Sequence, residues 1–559
     1  EGHVKRSSSM ANTMSGVRLH EIQLDPEAWR ALLRVQTQLS AQHYREQHLA
    51  QNDVERAARL PCDRRLLWRH GISGDRPLLV VSISEESGLP MVQQLRRSLR
   101  LWSAGGLGVD MVVLNGEPAS YLTPVQRQLQ LMRERLLARK DDRWPEHLRA
   151  ALFILHDSDL SDDERTTLYL LASVRLAADG RTLAQQVLRS GPAAGAAEVP
   201  AVESVPCRLQ VPRLGSAGGA APASPQGRFD PADGSFSFTL DDGHRPSRPW
   251  INVLANPDFG CHVSEVGAGM TWAGNSRMHQ LTPWSNDPLG DPAGERLLLE
   301  DIDGGEVWTL GQVCQGHAVH VTHGIGFTRM QQQLPGLDVT LTWCVDRDLP
   351  VKQCVVMLRN TGVQARRLRL VTLAEWVLGA SRRERMSIYT HTEQHVVGPH
   401  GVGLPPPQTA PVLYATQLDR AGGFGESTAF LALIGPAGQS QQADWTCDRR
   451  ELFNSEGCPV LPTRLGQRSG LGLDPCAAVA CVLTAQPGAT VSAVSILGHG
   501  WSLPQARHLA EQVRKTPIVE RFEQVRAFWG ELCGARQVSS PDPAFDALVN
   551  HWLPYQTVV

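Results

Sequence analysis

The stretch Val339 to Leu358, VTLTWCVDRDLPVKQCVVML, decides the reading of the fold. Val339, Leu341, Trp343 and Val345 alternate with polar or smaller neighbours, DRDLP turns the chain, and VKQCVVML returns it. A period of two puts successive side chains on opposite faces, so both runs read as half-buried antiparallel strands. Similar short runs, bounded by Gly, Pro, Asn or Asp, continue to about Leu497. Residues 229–500 are therefore expected to form a large two-sheet sandwich. Helical spacing resumes near the end, where Phe545, Leu548, Val549, Trp552 and Leu553 recur at i, i+3, i+4, i+7 and i+8. Residues 501–559 are expected to hold helices whose apolar face docks on a partner that can lie beyond Val559.

Upstream, the rhythm changes. PLLVVSI (77–83), VDMVVLN (109–115) and ALFIL (151–155) are apolar runs separated by helical stretches near 89–102, 124–139 and 161–178. Strands alternating with helices imply βαβ units and a small parallel sheet covered on both faces, over residues 61–190. Residues 1–60 read as a helical segment, with Trp29, Leu32, Leu33, Gln36 and Leu39 at helical spacing after Pro26. The Ala/Gly/Pro-rich stretch 191–228 has too little apolar bulk to offset chain entropy and reads as a linker. The fold class is thus α+β multidomain: a small βαβ-type domain, a large antiparallel β-sandwich and a C-terminal linker helix.

Composition narrows the function. Lys+Arg 54 against Asp+Glu 57 leaves a net charge of −3, which supplies no cationic excess for a phosphate backbone and argues against nucleic acid. The 11 cysteines contain no Cys-x-x-Cys pair, so neither a zinc clamp nor a dithiol is expected. No apolar run approaches the roughly 18 residues that span a bilayer, and no membrane contact by this segment is expected. The opening EGHVKRSSSM has no apolar signal core, so a cytoplasmic location is the default.

Chemistry concentrates in PWINVLANPDFGCHVSEVGAGMTWAGNSRMHQLTPWSNDPLGDPAGERLLLEDIDGGEVWT (249–309), which sets Trp250, Trp272, Trp284 and Trp308 among Asn252, Asn275, Arg277, Asn286 and Asp287. Indole faces stack on the C–H faces of sugar rings, while amide, guanidinium and carboxylate groups meet hydroxyls at the ring edge. Trp272, Asn275, Arg277, Trp284, Asn286 and Asp287 are the candidate substrate-binding residues. The plainer reading makes the tryptophans core and the polar residues turn formers, as in DPLGDPAG and DIDGG. Asp258, Glu265 and Asp287 offer carboxylates for an acid/base pair, but Asp258 follows Asn-Pro and Asp287 precedes Pro288, so turn-forming Asp is the simpler role. His317 and His320 are separated by an odd offset that would point them to opposite faces of one strand, so no metal site is expected with His323. His391, His395 and His400 have no carboxylate in register. GAGMTWAG (267–274), GLGLDP (470–475) and RHGISGD (69–75) lack the strand-then-helix context of a phosphate cradle and read as loops.

The tryptophan-rich stretch, with DRRELF (448–453), LDPCAA (473–478) and PDPAFDALVNHWLPYQ (541–556), resembles glycoside hydrolase family ninety-four, formerly glycosyltransferase family thirty-six. Its N-terminal supersandwich occurs in cellobiose and chitobiose phosphorylases and in cyclic β-1,2-glucan synthases. LLWRHGISGDRPLLVV (66–81) followed by VDMVVLN resembles the glucan synthase branch. The resemblance implies a β-glucan oligosaccharide or polysaccharide as partner, inverting phosphorolysis with inorganic phosphate as co-substrate, and no other cofactor. It also implies a general-acid aspartate in an (α/α)6 barrel downstream of WLPYQ, so no catalytic residue is assigned and the chain alone is expected to be inactive. NSEG (454–457) departs from the Gly-Arg-Asn-Gly expected after DRRELF. An intact relative can be anchored in the inner membrane through segments outside these residues, and a homodimer is left open. The expected function is the carbohydrate-binding portion of a cyclic β-1,2-glucan synthase or phosphorylase-like protein. The alternatives are a non-catalytic glycan-binding or scaffolding module, or a phosphorylase subunit whose barrel is supplied elsewhere.

Overall fold

The computed structural model describes residues 2–10, 13, 26–41, 62–118, 123–138, 145, 148–188, 204–206, 223–267, 269–284, 293–313, 316–397, 408–436, 444–454, 459–515 and 518–559. The chain divides into two compact units, Glu1–Glu198 with Leu418–Gly423, and Val199–Gln417 with Phe424–Val559.

The first unit contains α1 (Pro26–Ala41), β1 (Leu78–Ile83), α2 (Leu89–Ala104), β2 (Asp110–Asn115), α3 (Pro124–Leu137), β3 (Ala151–His156), α4 (Asp162–Leu171), β4 (Ala172–Ala178) and α5 (Leu183–Val187). The sheet order is β3-β2-β1-β4, and every pairing is parallel. The helix expected near 161–178 is shorter: α4 ends at Leu171 and ASVRLAA forms a fourth strand. That strand pairs with β1 along an edge whose N–H and C=O groups would otherwise lack partners, a gain that outweighs lengthening the helix. Leu79, Val81, Met111 and Val113 face α1, α2, α3 and α5, while Leu78, Val80, Val112 and Leu114 face α4 and the 3₁₀ turn Arg64–His70. A doubly wound sheet takes ligands at the carboxyl ends of its strands, where the order reverses. Here Gly88, at the start of α2, lies so close to β4 that a Cβ would sit 2.0 Å from the Ala178 carbonyl oxygen. The start of α3 is likewise met from within, because the Glu117 carboxylate accepts the N–H groups of Val125 at 3.1 Å and Gln126 at 3.0 Å.

The second unit is the sandwich. Its strands are β5 (Ser204–Pro206), β6 (Arg228–Phe229), β7 (Phe236–Leu240), β8 (Ile251–Asn256), β9 (Phe259–Ser264), β10 (Gly269–Ala273), β11 (Glu295–Asp301), β12 (Val307–Thr309), β13 (Val319–Gly324) and β14 (Phe327–Leu334). They continue as β15 (Leu337–Val345), β16 (Val351–Asn360), β17 (Arg366–Glu375), β18 (Ile388–Val397), β19 (Gln408–Gln417), β20 (Thr428–Ile434), β21 (Asp444–Asp448), β22 (Val460–Pro462), β23 (Pro475–Ala485) and β24 (Thr490–Gly500). Three sheets enclose one core: a ten-stranded sheet β18-β19-β20-β24-β16-β15-β14-β13-β7-β6, a five-stranded sheet β12-β11-β17-β23-β21, and a three-stranded sheet β10-β9-β8. β15 and β16 form the hairpin that the alternation announces, and Val339, Leu341, Trp343 and Val345 all enter the core.

One buried ion pair joins the three sheets. Lys352 of β16 donates to Thr271 Oγ1 of β10 at 2.7 Å and to the Glu295 carboxylate of β11. Glu295 also accepts from the hydroxyls of Thr271 at 2.6 Å and Thr282 at 2.8 Å. Burial alone would pull the Lys352 ammonium below the usual lysine range, yet Glu295 beside it holds it above.

Helix α6 (Leu503–Lys515) covers the far side of the ten-stranded sheet over Val351, Tyr414, Phe430 and Ile496. It is followed by α7 (Ile518–Gly534), α8 (Pro543–Ala547), a π turn (Leu548–Trp552) and α9 (Leu553–Val558). The apolar stripe read from the sequence does not stay on one face. The wider π turn brings Trp552 inward, where its indole N–H donates to the Gly234 carbonyl at 2.8 Å, and the Tyr555 hydroxyl reaches the Val253 carbonyl. Phe545, Leu548 and Leu553 are left exposed.

Breaking the junction from one side leaves a buried charge unpaired. Lys352→Ala should cost about 3–5 kcal/mol in urea unfolding, and the apolar double variant Lys352→Met/Glu295→Leu should recover most of that loss. Equal destabilisation by both variants would mean the pair is held by packing rather than charge.

Candidate functional site

The three-stranded sheet sends one face into the core and one outward, and the register sorts the residues between them. Leu254, Cys261 and Thr271 line up across β8, β9 and β10 on the inner side, and Ala255, Gly260 and Trp272 on the outer. A turn at residues 274–278 brings the chain back, so that Gln280 bridges to Trp272 and extends the outer row. Trp272 is half-buried, its indole lying over Gly260, where a Cβ would fall 2.4 Å from the ring. The next outer row on β9, about 7 Å along the strand, carries His262. Trp284 meets the His262 ring edge-on at 5.8 Å and remains 46% exposed. Trp272 and Trp284 therefore lie on the same, outer side of this sheet, where Trp284 is exposed, Trp272 is partly so and His262 is buried.

The other candidates separate. Asn275 builds the 274–278 turn, its Oδ1 accepting the N–H groups of Arg277 at 3.0 Å and Met278 at 2.8 Å. Arg277 is exposed in that turn. Asn286 and Asp287 lie outside the described residues. Trp308 is core, and Trp250 packs edge-on against Phe238 at 4.9 Å, so these two do not join the outer tryptophans. His320 is exposed and paired with Thr239 at 3.1 Å, whereas His323 is buried against Thr328 at 3.1 Å; His317 precedes the strand.

Sequence reasoning missed a cluster at the end of the sheet. The His279 Nδ1–H donates to the Ala273 carbonyl at 3.0 Å, which leaves Nε2 to accept from the Ser427 hydroxyl at 2.9 Å. Ser427 in turn accepts from His499 Nε2 at 2.8 Å. The tautomers follow from this chain of single donors and acceptors. Phe424 stacks on His279 at 4.2 Å with an interplanar angle of 5°, and Trp501 lies 5.7 Å from His279 at 22° and edge-on to His499 at 4.7 Å. Ser427 is 148 residues from His279 and 72 from His499, distances over which no local spacing carries a signal.

The nearby carboxylates are buried and engaged. Glu375 meets Arg382 and Arg449, which offset its burial and hold its carboxyl below the usual range. Burial raises Asp474, although it pairs with Arg385, and raises Glu451, although it accepts from Thr446 and Gly466. A glycosidic general acid must present its proton to the substrate. These groups serve the interior, while the outer face offers stacking surfaces with amides beside them. Among the described residues, no three or more His, Cys, Asp or Glu side chains gather as a metal site, and no helix is long and apolar enough to cross a membrane.

Residues 235–516, just over half of the chain, match the family model of the glycosyl hydrolase 94 supersandwich domain. The chain belongs to this family. It is 28% identical over 535 residues to the cyclic beta-(1,2)-glucan synthase NdvB of Rhizobium meliloti (strain 1021), covering 92% of this chain and 18% of that protein. It is 22% identical over 342 residues to the N,N'-diacetylchitobiose phosphorylase of Vibrio proteolyticus, covering 59% of this chain and 40% of the enzyme. A 3-O-beta-D-glucopyranosyl-beta-D-glucuronide phosphorylase of Paenibacillus borealis is 22% identical over 331 residues, covering 58% of this chain and 40% of the enzyme. The chain thus spans less than half the length of these relatives, all of them carbohydrate-active.

Acid should destabilise this glycosyl hydrolase 94 chain through its buried histidines. Burial holds His279 and His323 down at about 4, against 6.5 for a free imidazole, and holds His499 well below the free value. The folded state favours the neutral rings, so this stability is complete above pH 6.5 and is lost as pH falls towards 4. Melting temperature should decline steadily through that window in a pH series by differential scanning calorimetry; a flat profile would mean the rings protonate without penalty.

Proposed function

We propose that this chain holds β-linked glucan on the outer face of its three-stranded sheet, as the substrate-binding portion of a glucan synthase or phosphorylase-like protein. The observation that carries this reading is the placement of Trp272 and Trp284 on one side of that sheet, in adjacent rows, Trp284 exposed and Trp272 partly so, with Gln280 beside Trp272 and Arg277 in the turn beyond. Stacking on the indoles takes up the apolar faces of a sugar ring, and the amide and guanidinium take up its hydroxyls. The reading adds a role that the family alone does not specify: these residues bind rather than cleave.

The carboxylates support that division of labour. Inverting phosphorolysis needs a protonated carboxyl at the glycosidic oxygen while phosphate attacks the opposite face of the sugar. Glu295, Glu375, Glu451 and Asp474 are tied to lysine, arginine, hydroxyl or backbone partners within the protein. In this reading inorganic phosphate is a co-substrate of the intact family enzyme, and no other cofactor is required.

Calorimetric titration with linear β-1,2-glucan tests the binding role, and addition of phosphate with an assay for glucose 1-phosphate tests the division. The expected result is binding without release. Trp284→Ala should weaken binding roughly tenfold, about 1.4 kcal/mol, and leave the melting temperature unchanged. Release of glucose 1-phosphate would place the acid within these 559 residues, and parallel losses of binding and stability would make Trp284 a packing residue.

A further inference from the structure

We infer that the outer edge of β3 is a dimer interface, at which two copies of this chain pair β3 with β3 in antiparallel register about a twofold axis and join their parallel sheets into one. The interface lies in the first unit and is independent of the sugar-binding reading.

The two edges of the parallel sheet β3-β2-β1-β4 are treated differently. On β4, the side-chain amide of Gln186 from α5 takes both main-chain groups of Ala177, donating to its carbonyl and accepting its N–H at 3.2 Å. The same strand carries Arg175, whose guanidinium lies 4.0 Å from the centre of the Tyr169 ring. A filled hydrogen-bond position and a charge are devices that stop a strand from pairing further. β3 has neither. ALFILH (Ala151–His156) contains no Lys, Arg, Asp, Glu or Pro, and it runs beside β2 without a bulge. The Ala151 N–H donates to the Val109 carbonyl at 3.1 Å, so Ala151, Phe153 and Leu155 direct their main-chain groups to β2. Leu152, Ile154 and His156 direct theirs outward, where among the described residues they meet no partner. Such a row of free N–H and C=O groups is a template for another strand.

Charges at the two ends of β3 select the partner and its direction. Arg149 lies just before the strand, and Asp157 and Asp159 lie in the turn just after it. Antiparallel pairing centred on Phe153 or Ile154 brings the Arg149 of each copy to the Asp157–Asp159 turn of the other. A parallel approach would set Arg149 against Arg149 and the aspartates against one another. Arg165 already holds Asp157 at 3.1 Å, whereas the Asp159 carboxylate meets only the Ser158 hydroxyl, at 3.1 Å, among the described residues. Phe153, Ile154 and Leu155 are partly exposed, Phe153 and Leu155 towards one face of the sheet and Ile154 towards the other, so the new ladder covers apolar surface on both sides. A twofold axis uses the same edge of both copies, and the Gln186 block on β4 keeps the joined sheet from growing further.

Light scattering on the full 559-residue chain at micromolar concentration should give twice the 61.2 kDa of one chain. Ile154→Pro removes an outward N–H and crowds the edge, so it should return the chain to the mass of one copy. Its far-ultraviolet circular dichroism should not change, because that N–H takes no part in the ladder with β2. Should Ile154→Pro unfold the first unit, charge reversal carries the comparison: Arg149→Glu should weaken the dimer roughly tenfold, and Arg149→Glu/Asp159→Arg should restore it. A monomeric unaltered chain, or a dimer that survives both Ile154→Pro and Arg149→Glu, would overturn the interface. Loss of the dimer in Arg149→Glu that Asp159→Arg fails to restore would overturn the antiparallel direction. A mass that keeps rising with concentration beyond two chains would overturn the closed twofold arrangement.

Discussion

Lys352 reaches from the ten-stranded sheet to a threonine of the three-stranded sheet and a glutamate of the five-stranded sheet, and the arrangement of the sandwich depends on that junction. Taking an ammonium and a carboxylate out of water costs several kcal/mol each, so the pair is tolerable only where each partner is fully met. Thr271 and Thr282 complete the Glu295 carboxylate, and Thr271 turns its own oxygen towards Lys352. The requirement is geometric. A slip of one residue in β10, β11 or β16 would rotate its member of the cluster to the opposite face and strand the remaining charge.

With the inner face fixed in this way, the outer face follows. Thr271 points inward, so Trp272 points out, and its indole spreads over the glycine across the ladder. The same principle recurs at the end of the sheet, where Gly274 gives Trp501 its seat. In both places a bare backbone lets an aromatic ring approach where a Cβ would collide with it. Packing and exposure are thus two sides of one placement, and the residues that hold the sandwich together orient those on its outer side.

The sequence showed this architecture where one face is wet and one dry. The alternation of Val339, Leu341, Trp343 and Val345 is a direct image of a half-buried strand, and β15 and β16 bear it out. ASVRLAA was harder, because small and mixed side chains directly after a helix carry no clear period, and only the free edge of β1 turns them into a strand. The outer tryptophans were legible as residue types but not as positions: Trp250, Trp272, Trp284 and Trp308 look alike until the register separates core from surface. The cluster around Ser427 was invisible, since Gly274, His279, Phe424 and Trp501 come from distant parts of the chain. The apolar stripe near the C-terminus was real, but a π turn divides it, and helical spacing alone assumes an uninterrupted helix.

The three-way junction also joins segments made at different times during biosynthesis. Lys352 lies 81 residues after Thr271 and 57 after Glu295, so the strands that bear its partners leave the ribosome well before it does. Until it arrives, the Glu295 carboxylate has no cation to justify leaving water, and the apolar rows beside it stay uncovered. Closure of the sandwich is therefore a late step that waits on distant contacts, the regime in which folding is slow and nascent chains are exposed to aggregation. A charge that fixes the finished structure thus ties closure of the sandwich to the last of its three contributors to be made.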